Sequence, residues 1–177
     1  MRVGESGLVL GTNAKEFEAT YRMAYDDKNL YMFAEVVDTT PMSNTNADDG
    51  IWADDSVELF IGWDNLDQGG SLQFGDRQIL LRGGKVDAAH ASGVIVNAPK
   101  AGYTIQTTVV AGSDGKSYTI EAAIPFEALG FSPKPGQEVL FDLCVNDGHG
   151  GRRQLAWNGT AQDSKNRGVW GRASFTN

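Results

Sequence analysis

The feature that most limits what this chain can fold into is a period of two. Phe17, Ala19, Tyr21, Met23 and Tyr25 alternate with Glu18, Thr20, Arg22 and Ala24. Only an extended strand with one buried face puts every second side chain on the same side. The pattern returns at 56–62, where Val57, Leu59 and Ile61 oppose Ser56, Glu58 and Phe60. Leu30 to Val37 is a nearly continuous apolar run broken only by Glu35, as suits a central strand. The polar cluster Asp26-Asp27-Lys28-Asn29 between two such segments reads as a hairpin turn. Further strands fit 77–82, 104–111, 117–124, 138–146, 152–157 and 169–175, with Gly112-Ser113-Asp114-Gly115-Lys116 as a second hairpin turn. The helical candidate is one turn at Pro125–Leu129, with Gly130 as its stop signal. The fold class is therefore all-β, an antiparallel β-sandwich of jelly-roll or immunoglobulin-like type, with about 8–10 strands and at most one short helical turn.

Composition removes several function classes. The chain has 177 residues, 15 Lys+Arg against 23 Asp+Glu, and a net charge of −8. That charge repels phosphate backbones and argues against nucleic acid as a partner. Cys144 is the single cysteine, so neither an internal disulfide nor a multi-cysteine zinc site can form. No apolar run approaches the roughly 18–20 residues that span a bilayer, so a membrane is not expected as a partner. The 22 glycines against 5 prolines suit many turns. No repeat, low-complexity tract or linker divides residues 1–177, which read as one domain. The opening Met1-Arg2-Val3-Gly4-Glu5 lacks the apolar core of a signal peptide. The chain is expected to be excised from a longer protein with Met1 added, so this says nothing about localisation.

Two long polar connections stand out, 38–55 and 63–75. Loops of this length in a compact domain are usually functional or mobile. The first contains Pro41, Gly50 and much of the acid excess: Asp38, Asp48, Asp49, Asp54 and Asp55 gather at its two ends. It also carries Trp52, and it runs directly into Glu58, whose alternation points it away from Val57, Leu59 and Ile61.

Four segments in order carry a resemblance: Tyr25-Asp26-Asp27-Lys28-Asn29-Leu30-Tyr31, Trp52-Ala53-Asp54-Asp55-Ser56-Val57-Glu58-Leu59-Phe60, Tyr118-Thr119-Ile120-Glu121-Ala122-Ala123-Ile124-Pro125 and Val145-Asn146-Asp147. Over roughly 18–175 the chain resembles the family 9 carbohydrate-binding modules and their DOMON-like relatives. The resemblance implies an antiparallel β-sandwich and non-catalytic binding of an oligosaccharide or polysaccharide. It implies an accessory module, monomeric and covalently attached to a catalytic domain of a secreted polysaccharide-active enzyme, hence an extracellular location. It implies structural calcium as well. The best-studied members grip a sugar between two tryptophans, with polar side chains on the hydroxyls.

Carried over residue by residue, Trp52 matches the first stacking tryptophan and Glu58 a contact to sugar hydroxyls. A pyranose has an apolar C–H face suited to an indole and hydroxyls that need hydrogen bonds. Asn146, on one strand face with Cys144 and Asp142, is a further candidate, as are Gln78 and Arg82 on the strand that carries an arginine in the family. The departures are equally specific. The segment 158–168, where the second stacking tryptophan belongs, has no aromatic residue; Trp157 and Trp170 flank it. Cys144 stands where the family has glutamine, and the family's opening tryptophan motif has no counterpart before Phe17. An open cleft contacting internal sugars is then as consistent as a grip on a chain end.

The acidic loop can supply oxygens to a hard cation, although no EF-hand spacing exists and the ligands are not assigned. Catalysis is not expected. Asp54, Asp55 and Glu58 lie too close along one strand entry to make the two facing carboxyl centres of a glycosidase. His90 and His149 have no nucleophile partner in a recognisable pattern, and His149 reads as a turn residue. Two alternatives remain: a non-binding docking or spacer module, and a haem-holding electron-transfer domain using Met42 and His149.

Overall fold

The alternating segments pair into two antiparallel sheets. The computed structural model describes residues 1–12, 14–84 and 92–176, so His90 lies outside the described residues. The first sheet holds five strands: β1 (Arg2–Val3), β3 (Glu18–Tyr25), β4 (Asn29–Val37), β8 (Gln106–Ala111) and β9 (Tyr118–Pro125). The second holds β2 (Leu8–Leu10), β5 (Ser56–Gly62), β6 (Asp76–Arg82), β7 (Gly93–Val96), β10 (Glu138–Asp147), β11 (Arg153–Ala156) and β12 (Gly171–Ser174). The strand orders are β1-β3-β4-β9-β8 and β2-β11-β10-β5-β6-β7. The short β1, β2 and β7 lie outside the segments read as strands, because two to four residues are too few to show a period.

Local chemistry explains the turns. In the β3–β4 hairpin, Asp26 Oδ1 accepts from the backbone N–H of Lys28 (2.8 Å) and Asn29 (2.7 Å). Between β8 and β9, Asp114 Oδ1 does the same for Lys116 and Ser117, each at 2.9 Å. Such side-chain acceptors stand in for a turn's missing backbone partners. The one α-helical turn among the described residues, α1 (Phe126–Leu129), ends at Gly130, whose φ of 85° favours glycine.

The inward faces interlock into one core that includes Tyr21 and Met32 of the first sheet and Val57, Leu59, Ile79 and Leu143 of the second. Tyr21 crosses between the layers: its hydroxyl donates to the carbonyl of Cys144 at 2.8 Å in a buried setting. Gly83 follows β6 because a Cβ there would lie 2.6 Å from the ring of Tyr118. Cys144 is paired on both sides in the sheet, and the phenol adds one buried hydrogen bond, worth about 0.5–1.5 kcal/mol net. Tyr21→Phe should lower unfolding stability by about 1 kcal/mol without altering the fold, as read from the urea midpoint at unchanged m-value.

One feature of the second sheet places the site. Residues 144–147 of β10 pair with β11, while residues 138–141 of the same strand pair with β12. Both strands thus occupy one edge of β10, and the chain between them, 157–170, must leave the sheet and cover its outer face.

Candidate functional site

That outer face is polar where the inner one is apolar. Register sets Ser56, Glu58 and Phe60 of β5 against Arg82, Leu80 and Gln78 of β6, and against Asn146, Cys144 and Asp142 of β10. Gln154 of β11 lies opposite Asn146. Glu58 is at the centre and only 2% exposed. Its carboxylate accepts from Gln78 Nε2 (2.6 Å), Asn146 Nδ2 (2.7 Å) and Gln154 Nε2 (3.1 Å). Burial raises the Glu58 carboxyl above its ordinary value, against the opposing pull of these amides and of Arg152.

The covering segment supplies the opposite wall. Trp170 is buried against Phe60, with ring centroids 5.4 Å apart, and its indole N–H donates to the carbonyl of Asp163 at 3.0 Å. Arg167 is fully buried, donates to the carbonyls of Asn65 (2.7 Å) and Gln68 (2.9 Å), and pairs with Asp76 at 2.8 Å. Asp163 in turn accepts from the N–H of Thr160 (2.6 Å) and from Cys144 Sγ (3.4 Å). Between wall and sheet lies a cavity of about 350 Å³, lined among others by Trp52, Glu58, Gln78, Arg152, Gln154 and Asp163.

Trp52 reaches it from the other long loop. A 3-10 turn at Asp48–Ala53 buries Ile51 completely and leaves Trp52 39% exposed. The turn is pinned from below: Asn44 Nδ2 donates to the carbonyls of Ile51 and Asp55, each at 2.8 Å. The guanidinium carbon of Arg152 lies 4.2 Å from the Trp52 ring centroid.

The structure therefore brings Trp52, Glu58 and Gln78 together at one cavity. Asn146 is fully buried behind them and holds Glu58. Arg82 shares their sheet face but is fully buried, and its guanidinium donates to the carbonyls of Asn44 (2.7 Å) and Asn46 (2.5 Å). It anchors the Trp52 loop and does not line the cavity. Trp157 sits edge-on to Phe141 at 6.0 Å. Met42 packs against the main core, and His149 Nδ1 lies 4.0 Å from Asp54. Sequence reasoning missed Arg152, Gln154, Asp163 and Lys165. Arg152 and Gln154 follow from β11 pairing with β10, and Asp163 and Lys165 from the path of the covering segment; neither leaves a local pattern.

A second cluster lies at the base of the Trp52 loop. Carboxylate oxygens of Asp38, Asp55 and Asp147 approach within 4.8 Å of one another, and all three residues are buried. Arg153 donates to Asp38 at 2.9 Å and also to Asp147 Oδ2. Asp38 Oδ2 and Asp55 Oδ1 are buried without a hydrogen-bond partner. Burial, with Asp38 and Asp147 nearby, pushes the Asp55 carboxyl up to about 8. Asp54 joins Asp55 and His149 in an adjoining group, whereas Asp48 and Asp49 belong to neither.

Burial also pushes the Asp163 carboxyl up from its ordinary value to about 6. A raised acid takes up its proton in the folded state before the unfolded one, so its contribution makes the fold more stable as pH falls from above about 6 towards about 4. Urea midpoints at about pH 7.5 and about pH 5 should show a smaller low-pH gain for Asp163→Asn than for the unmodified chain.

The chain is similar to endo-1,4-beta-xylanase A of Thermoanaerobacterium saccharolyticum, 29% identical over 132 residues that cover 75% of this chain and 9% of that protein. It is 28% identical over 140 residues to endo-1,4-beta-xylanase A of Thermotoga neapolitana, covering 79% of this chain and 12% of that one. The chain thus spans only about a tenth of the length of these relatives. Among solved structures, a family 9 carbohydrate-binding module of Caldicellulosiruptor kristjanssonii in complex with cellotriose superposes with a TM-score of 0.72 at 21% identity, covering 97% of this chain and 82% of that one. A module of the same organism in complex with glucose gives 0.67 at 22% identity, covering 94% and 82%. These structures share the fold. The model of the carbohydrate family 9 binding domain-like family matches residues 5–177, and the chain belongs to that family.

Proposed function

We propose that this domain binds carbohydrate without catalysis, at the cavity between Trp52 and the Glu58 floor. The observation that carries the reading is the pairing of a partly exposed indole with a fixed polar floor of Glu58, Gln78 and Gln154. A sugar has the same two-sided character, with C–H faces that stack and hydroxyls that require partners. The interlocked amides hold the floor in place before any ligand arrives, which lowers the ordering cost of binding. The xylanase relatives, far longer than this chain, support the role of an accessory module attached to a secreted polysaccharide-active enzyme. In that setting it acts outside the cell, as a monomer on its parent chain.

The Asp38–Asp55–Asp147 cluster fits a structural calcium. Hard cations take several oxygens at once, and two buried carboxylate oxygens here have no other partner. One guanidinium, that of Arg153, pairs with two of these carboxyls, Asp38 and Asp147. Bound there, calcium would fix the base of the loop that carries Trp52 and would leave the sugar contacts to the side chains above.

Calorimetric titration with cello- and xylo-oligosaccharides tests the binding reading. Trp52→Ala should weaken binding about tenfold or more, equivalent to about 1.4 kcal/mol. Absence of binding to a broad glycan panel, or affinity indifferent to Trp52, would remove the assignment. A chelator should lower the melting temperature by roughly 2–4 °C for each kcal/mol of calcium stabilisation, and Asp55→Asn should abolish that response.

A further inference from the structure

One cation in the cavity wall lacks an acceptor. Arg152 is half-buried, and its Nε is buried without a hydrogen-bond partner. Among the described residues its guanidinium makes no hydrogen bond and no close ion pair; it lies over the ring of Trp52 at 4.2 Å and is attracted to Glu58 at longer range. Leaving charged donors unmatched near a protein interior is costly, so such a group points to a ligand that completes it.

Its orientation narrows the ligand. All guanidinium N–H bonds lie in the plane of the group, so contact with an indole face does not use them. A planar carboxylate matches the edge of the group with two parallel, charge-assisted hydrogen bonds. Lys165 lines the same cavity and is exposed. Of the carboxyls that line it, Glu58 is already engaged by three amides, and Asp163 by Thr160 and Cys144. Asp49 is exposed at the rim, and among the described residues no carboxylate lies within ion-pair distance of the Arg152 guanidinium, so its hydrogen-bonding capacity is what remains for a ligand.

We propose that the site prefers a glycan bearing a uronic acid, its carboxylate held edge-on by Arg152 and its hydroxyls met by Gln78 and Gln154. The proposal rests on the carbohydrate-binding reading of this cavity and adds the charge of the sugar to it. Arg152 lies against Trp52 itself, 4.2 Å from the ring centroid, so it stands beside the sugar and selects for negative charge.

The test compares one carboxylate with its own ester. Trigalacturonate and a glucuronic-acid-substituted xylotriose are titrated beside their methyl esters and beside cellotriose, at low and high salt. The free acids should bind about tenfold tighter than the esters, and salt should shrink the difference. Arg152→Gln should abolish the preference, and Arg152→Lys, which keeps the charge but loses the fork, should restore part of it; melting curves verify that both variants fold. Equal affinity for acid and ester while cellotriose binds overturns the uronate assignment and leaves the carbohydrate reading standing. A preference that survives Arg152→Gln overturns the role of Arg152. Failure of every glycan to bind removes both readings.

Discussion

A buried carboxylate is tolerated only when its lone pairs are met, and Glu58 is met by three side-chain amides from three different strands. Gln78 comes from β6, Asn146 from β10 and Gln154 from β11, so the contact ties together four of the seven strands in that sheet. Removing any one amide leaves part of a buried charge unmatched, which is more damaging than the loss of an ordinary surface hydrogen bond. The floor of the cavity is therefore rigid for electrostatic reasons, independently of whatever lies on it.

The walls depend on chain path. Because β11 and β12 share one edge of β10, the segment between them has no strand to join and folds over the outer face. Trp170 under it and Arg167 within it keep it there. The Trp52 loop is held in the same manner, by Asn44, Arg82 and the acidic cluster at its base. Residues expected to touch a ligand, Arg82 and Asn146, turn out to hold the residues that line the cavity. On a sheet face covered by two loops, depth below the rim separates the two roles.

Most of the fold could be read from the chain. Alternation located the longer strands, Asp26 and Asp114 located the two hairpin turns, and Gly130 ended α1 where its backbone requires glycine. The site was legible in part. Trp52 and Glu58 were visible through their motif and Gln78 through its strand. Arg152, Gln154 and Asp163 were not, since they meet the cavity through a strand pairing and a covering segment that no local pattern records. The acid excess was visible as a count, but Asp147, which completes the buried triad with Asp38 and Asp55, is distant in sequence from both.

The layer architecture and the side of its strand from which Glu58 projects are written along the chain, because a strand's period of two is a local property of the backbone. It took the three-dimensional packing to bury this carboxylate rather than leave it solvated, to turn Arg82 towards loop carbonyls, and to lay Arg152 over Trp52. Those outcomes depend on register and on which segments cross above the sheet. Both are set by the closing of long loops and by the summed packing of distant residues, which alternation along the chain does not encode.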